Sequence, residues 1–103
     1  MQVEKVGFLV KDSDYSWECM RSLFGMLTEN YWCSLFMVGA RVQLPPEMDE
    51  EEFLEHLEMF TEDMEAEFYT TVEADARRYQ HLTHASLEEM VPKMKECGLL
   101  IPF

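Results

Sequence analysis

"NYWCSLFMVGARVQL", residues 30–44, decides how the rest of the chain is read. Residues 31–38 are almost continuously apolar. A strand with one wet face alternates apolar and polar side chains. A short run apolar at nearly every position instead fits a strand covered on both faces, as in a parallel sheet. Gly39 ends the run. "VQL" either extends the strand or restarts it, until Pro45-Pro46 forbids regular structure. Cys33 stands at the start of the strand, and Gly39-Ala40-Arg41 forms a small turn with a cation at its end.

Working outward, residues 3–10, "VEKVGFLV", form a second strand of the same kind. After the polar "KDSDYS", Trp17, Met20, Phe24 and Leu27 recur at helical spacing, predicting an amphipathic helix over 14–29 with Ser13 as N-cap. Gly25 weakens this helix and is expected to mark close packing. Beyond the prolines, Asp49 and Glu52 resemble a capping box. Phe53, Leu57, Phe60 and Met64 then predict a helix over 49–64, whose other face carries Glu51, Glu55, Glu58, Glu62 and Glu65.

"EFYTTV", residues 67–72, is β-branched and aromatic, a third strand. "EADARRY" reads as a short helical turn and "QHLTH" as a loop or very short strand. Ser86 and Glu89 open a further helix toward Cys97, with Gly98 as its stop. Pro92 either kinks that helix or marks a later start, at its first position. "LLIPF" closes the chain as a short strand, with Pro102 suggesting an end or an edge. Continuous strands separated by amphipathic helices imply a single domain over 1–103. Its expected architecture is three-layer α/β/α, around a small, mainly parallel sheet of four to five strands with right-handed crossovers.

Net charge is −13, and it is unevenly placed. Residues 42–76 hold thirteen acids and no Lys or Arg, whereas residues 77–103 hold three acids and four Lys or Arg. So acidic a chain repels nucleic acid and anionic lipid, and neither is expected as a partner. A basic protein partner is not repelled, and the face with Glu51, Glu55, Glu58 and Glu62 suits one. The three cysteines, Cys19, Cys33 and Cys97, are odd in number and widely spaced, which argues for reduced thiols and a cytoplasmic setting. No apolar run is long enough for a signal-peptide core or a membrane span.

Three stretches resemble the DsrE/DsrF/DsrH family, which includes the Tus-type sulfur-relay proteins. They are "KVGFLV" with the polar loop holding Tyr15, "NYWCSLFMVGARV" with its Gly-x-x-Val turn, and "TTVEADARRY" with its paired basic residues; the closing strand ending in Phe103 also fits. The resemblance implies a compact DsrE-like domain, flavodoxin-like in general architecture, that forms homo-oligomers. Several members pass persulfide sulfur from a cysteine just after the strand that precedes the basic pair. Counting back from Arg77-Arg78 puts that position near Thr71, and no cysteine lies between Cys33 and Cys97. A Thr hydroxyl cannot carry a persulfide, so carrier or sulfurtransferase activity is doubtful.

Three functions follow as expectations. The first is a non-carrier accessory or subunit of sulfur metabolism acting through protein contacts. The second is a small-anion or nucleotide-binding module built from the loops beyond the strand ends, where ligands of open α/β sheets bind. Those loops supply Lys11, Ser13, Tyr15, Arg41, Thr70 and Thr71, with Arg77 nearby. The third is a sulfurtransferase with a relocated cysteine, Cys97 or Cys19. Cys97, close to Lys93 and Lys95, is the least implausible reactive thiol, although a helix C-terminus disfavours thiolate. Cys33 reads as a buried, inert thiol at the wrong end of its strand. His81 and His84 read as loop histidines, since zinc needs further ligands that are not adjacent. With neither GxGxxG nor a P-loop present, no cofactor and no metal is expected.

Overall fold

The computed structural model describes residues 4–103. Its five strands are β1 (Lys5–Val10), β2 (Trp32–Met37), β3 (Glu67–Thr70), β4 (Leu82–His84) and β5 (Leu99–Pro102). They form one sheet in the order β4-β3-β2-β1-β5, and every pairing is parallel. The helices are α1 (Ser16–Thr28), α2 (Glu50–Glu58), α3 (Glu73–Arg78) and α4 (Leu87–Lys95). The α/β expectation holds, and "QHLTH" supplies the fifth strand. Val3, expected to open β1, lies outside the described residues.

The strand register sorts side chains onto two faces. Val6, Phe8, Val10, Cys33, Leu35, Met37, Phe68 and Leu82 enter one core with Cys19, Met20, Leu23, Phe53, Leu57 and Phe60 from the helices. Phe36 and Tyr69 point the other way and meet Ala85 and Met90 in a second, smaller core. The chain steps from β1 to β4 with its helices on the first face. It then returns across three strands to β5 through α4, on the second face. Crossovers of one hand must change face when the direction of travel reverses. The second face is therefore covered by a single helix.

Around Gly7 of β1 the second face is tightly filled. A Cβ there would lie 2.8 Å from Leu100 Cδ1 of β5 and 2.9 Å from the Sγ of Cys97, just after α4, so a larger residue would have to displace those side chains.

Several element ends differ from the sequence reading for local reasons. The first helix does not begin at Asp14. Residues Ser13–Tyr15 form a 3₁₀ turn capped by Asp12, whose carboxylate accepts from Asp14 N–H at 2.9 Å; Ser13 is not the cap. Asp49 does cap α2 through Glu52 N–H at 2.8 Å. That helix widens into a π turn over Met59–Asp63 instead of running on as α-helix. There the Thr61 hydroxyl donates to the Leu57 carbonyl at 2.8 Å, and Met64 N–H reaches back five residues to Met59 at 3.0 Å. A side-chain donor competing for a helical carbonyl accounts for the slip.

The Ser86/Glu89 capping box is present, so α4 starts at Leu87, and Pro92 sits inside it rather than at its first position. Gly98 is not a left-handed stop: Gly39 is the glycine with positive φ among the described residues, and Gly98 N–H instead joins Lys5 O at 2.9 Å. "VQL" is not strand.

Candidate functional site

The loops beyond the carboxyl ends of the strands meet as the topology requires. The loop after β2 has no sheet partner, so its backbone donors need other acceptors. Side chains from three elements supply them. The Ser13 hydroxyl accepts from Arg41 N–H at 2.7 Å, and the Ser16 hydroxyl accepts from Gln43 N–H at 3.0 Å. The Thr71 hydroxyl accepts from Gly39 N–H at 2.8 Å, where φ is +69° and glycine is favoured. Asp75, buried at the start of α3, accepts from Val42 N–H at 2.9 Å and from Arg41 Nε at 3.3 Å.

Of the seven residues expected to bind a ligand, Ser13, Arg41 and Thr71 are thus brought together around Asp75. Their polar atoms hold one another and the loop. The Arg41 guanidinium, half-exposed, faces a carboxylate at 3.3 Å that already neutralises it. The Thr70 side chain is fully buried and accepts from Val72 N–H at 3.0 Å. Arg77 lies on the outer side of α3, paired with Glu73 at 2.6 Å, away from the cluster's centre. Lys11 and Tyr15 are exposed at the rim.

One residue here escaped the sequence reading, and a second, His84, was read as a loop histidine but belongs to a strand. Asp75 was one acid among thirteen, and only the fold buries it. His84 ends β4 opposite Thr70. The connections of β3 and β4 leave to opposite faces, which makes this the switch point where such sheets bind ligands. The strand order that reveals it is not written in any local motif.

The thiols are poorly activated. Burial pushes Cys19 up to about 12. Burial, with a smaller contribution from Cys97, pushes Cys33 up to about 11. Cys97 is half-buried, and burial raises it too; Lys5 opposes this, while Glu96 and Glu67 add to it. Lys5, not Lys93 or Lys95, is the cation that bears on Cys97. Its Sγ donates to Lys93 O at 3.6 Å. Since the thiolate is the nucleophile, native protein at about pH 8 should react slowly with an aromatic disulfide reagent at Cys97 alone, and at all three cysteines once unfolded. Rapid labelling of two or more native thiols would contradict this burial.

The second face carries a polar knot near Cys97. Glu67 accepts from Tyr69 O–H at 2.8 Å, from Lys5 Nζ at 3.3 Å and from Ser34 O–H at 3.4 Å. Burial pushes the Glu67 carboxyl up, but the Tyr69 and Lys5 hydrogen bonds outweigh it and hold the group below its usual range. Lys93 lies 5.2 Å from the Tyr69 ring centroid. These contacts anchor α4.

His81 and His84 do not act together. His81 Nδ1 lies 3.1 Å from the Thr61 hydroxyl, and His84 is exposed. Among the described residues there is no group of three His, Cys, Asp or Glu placed to hold a metal, and no helix is long and apolar enough to cross a membrane. No family model, curated protein or solved structure matches this chain.

Proposed function

We propose that this is a DsrE-like accessory protein that works through protein contacts and carries no sulfur itself. The observation that carries this reading is where the exposed apolar surface lies. Of the seven large hydrophobic residues exposed among the described residues, Leu87 and Val91 of α4 and Leu100 of β5 lie on the second face, whereas Leu99, paired with Val6, points to the first. Leu87, Val91 and Met94 fall on one stripe of α4 at i, i+4 and i+7. Met94, Leu9 and Val38 are partly buried and each packs against the second core, so the stripe continues into a partly open apolar shelf on that face. Thr71, at the position where the resemblance expects a carrier thiol, supports the non-carrier part through its hydrogen bond to Gly39.

The occupant of the shelf is a second copy. In a chain of charge −13, residues 77–103 are close to neutral, so two copies meet there with the least repulsion. Glu88 and Lys95 flank the stripe near opposite ends of α4. A two-fold axis crossing the stripe near Val91 sets Glu88 of each copy near Lys95 of the other, which is the self-complementarity an isologous interface needs.

Light scattering on the eluting chain should therefore give at least a dimer mass. Val91→Glu, at a position 37% exposed in the single chain, should keep its circular dichroism and elute as a monomer. A wild-type chain that stays monomeric at millimolar concentration would remove the basis of the reading.

A further inference from the structure

The first face carries a different surface. Between α1 and α2 runs a groove of about 390 Å³, lined by Trp17, Arg21, Phe24 and Gly25 on the α1 wall and His56, Met59 and Phe60 on the α2 wall. The lining is mostly aromatic and apolar. Phe24 and Phe60 rings lie 5.5 Å apart, and Trp17 and His56 rings 5.2 Å apart.

Gly25 is the unexplained member. It was expected to mark close packing, yet a Cβ built there meets nothing within 4 Å. A glycine inside a helix is less favourable than alanine by about 1 kcal/mol, and nothing within the described chain requires one at this position. A glycine on the wall of a groove is what a second backbone needs in order to approach closely.

The charge differs between the two walls: exposed Arg21 is on the α1 side, and acids flank the α2 side. Glu52 and Glu55 lie one helical turn before His56 and Met59, and Glu62 one turn after Met59; all three are exposed. None of them enters an ion pair among the described residues. Like charges at these spacings repel, and a basic partner would relieve that. A cluster of acids alone names no site. Here it borders an apolar groove whose wall has been left without a side chain.

We infer that the α1–α2 groove docks an amphipathic helix of a basic partner protein, its apolar stripe over the half-buried Trp17, Phe24 and Met59, its backbone close to Gly25, and its Lys or Arg side chains toward Glu52, Glu55 and Glu62. The inference rests on the reading that the protein works through contacts, and it names the partner's chemistry. Arg21 on the α1 wall makes the groove polar in one direction, so the partner's cations lie on the α2 side. A groove that receives i, i+3, i+4 and i+7 anchors is an established mode of helix recognition.

The probe is a synthetic amphipathic helix of about 18 residues, long enough for five turns, made of Leu and Lys, with a Leu/Glu counterpart as control. Calorimetry and amide shift mapping on the full chain read the result. The Leu/Lys peptide should perturb amides of α1 and of Glu50–Asp63, and the Leu/Glu peptide should not bind. Gly25→Leu changes no charge and enters open space, so it should fold normally and weaken binding by at least about tenfold, the loss of one well-packed anchor. Glu55→Lys with Glu62→Lys should also weaken it.

No binding, unchanged affinity in Gly25→Leu, or equal binding of the Leu/Glu peptide would overturn the inference. So would a fall in oligomer mass in Gly25→Leu, because the groove would then belong to a second copy. Self-association through α4 is read separately with Val91→Glu, so either surface can fail without the other.

Discussion

Asp75→Ala should lower the free energy of unfolding by about 2–3 kcal/mol, the cost of stranding a buried donor and losing hydrogen bonds to a charged acceptor. The side chain is 3% exposed and accepts from both Val42 N–H and the Arg41 side chain. Most of the loss comes from Val42, whose N–H has no other partner in the loop. Arg41 is half-exposed, and its pairing contributes less because water screens it. Asp75→Asn keeps an acceptor for Val42 and should lose less than Asp75→Ala. Urea titration decides: a lower midpoint at unchanged slope is a stability change in one folded state. An Asp75→Ala midpoint within error of wild type would mean that the loop after β2 is held by Ser13, Ser16 and Thr71 without Asp75.

The same residue bears on the anion-binding reading. If Asp75 neutralises Arg41 in the folded chain, phosphate should raise the melting temperature of Asp75→Asn more than that of wild type, since only the variant presents a free guanidinium. The crevice is better understood as a clasp for the loop 39–43 than as an open cradle. Its hydroxyls at Ser13, Ser16, Thr70 and Thr71 are all engaged with backbone N–H groups.

How much of this was legible follows from which signals are local. Continuous apolar runs mark β1 and β2, and their parallel pairing follows from the helices between them. The Ser86/Glu89 box correctly opens α4 although Pro92 lies inside it. In that exposed helix the proline removes only the donor that would reach Glu88. The π turn at Met59–Asp63 was not legible, because it depends on a Thr61 hydroxyl choosing a helical carbonyl over water, while the apolar spacing through Phe60 and Met64 fits either helix. At the candidate site, the sequence brings the right loops together but cannot pair them. That Arg41 meets Asp75, thirty-four residues on, depends on β3 lying next to β2. Likewise, no local pattern reveals that Gly25 faces a groove rather than a packed neighbour.

Phe36→Ala should have the largest effect of any single truncation on the second face, about 3–5 kcal/mol as for other buried phenylalanines, and the loss should be local in character. Phe36 is fully buried and stacks on Tyr69 with ring centroids 5.7 Å apart and planes 12° from parallel. With Ala85 and Met90 these two rings make up the whole second core. Its neighbour Leu35 faces the opposite way, into the core shared by α1 and α2. Truncating Leu35 weakens contacts to several elements at once, whereas truncating Phe36 removes the main support of α4 alone. Hydrogen exchange separates the cases: in Phe36→Ala the amides of α4 should lose protection well before those of α1 and β2, since regions with few buried contacts open first. If two copies meet over the α4 stripe as proposed, their association should be lost together with that local opening. Equal loss of protection in α4 and α1 would show that the two faces unfold as one unit and that α4 is not a separable layer.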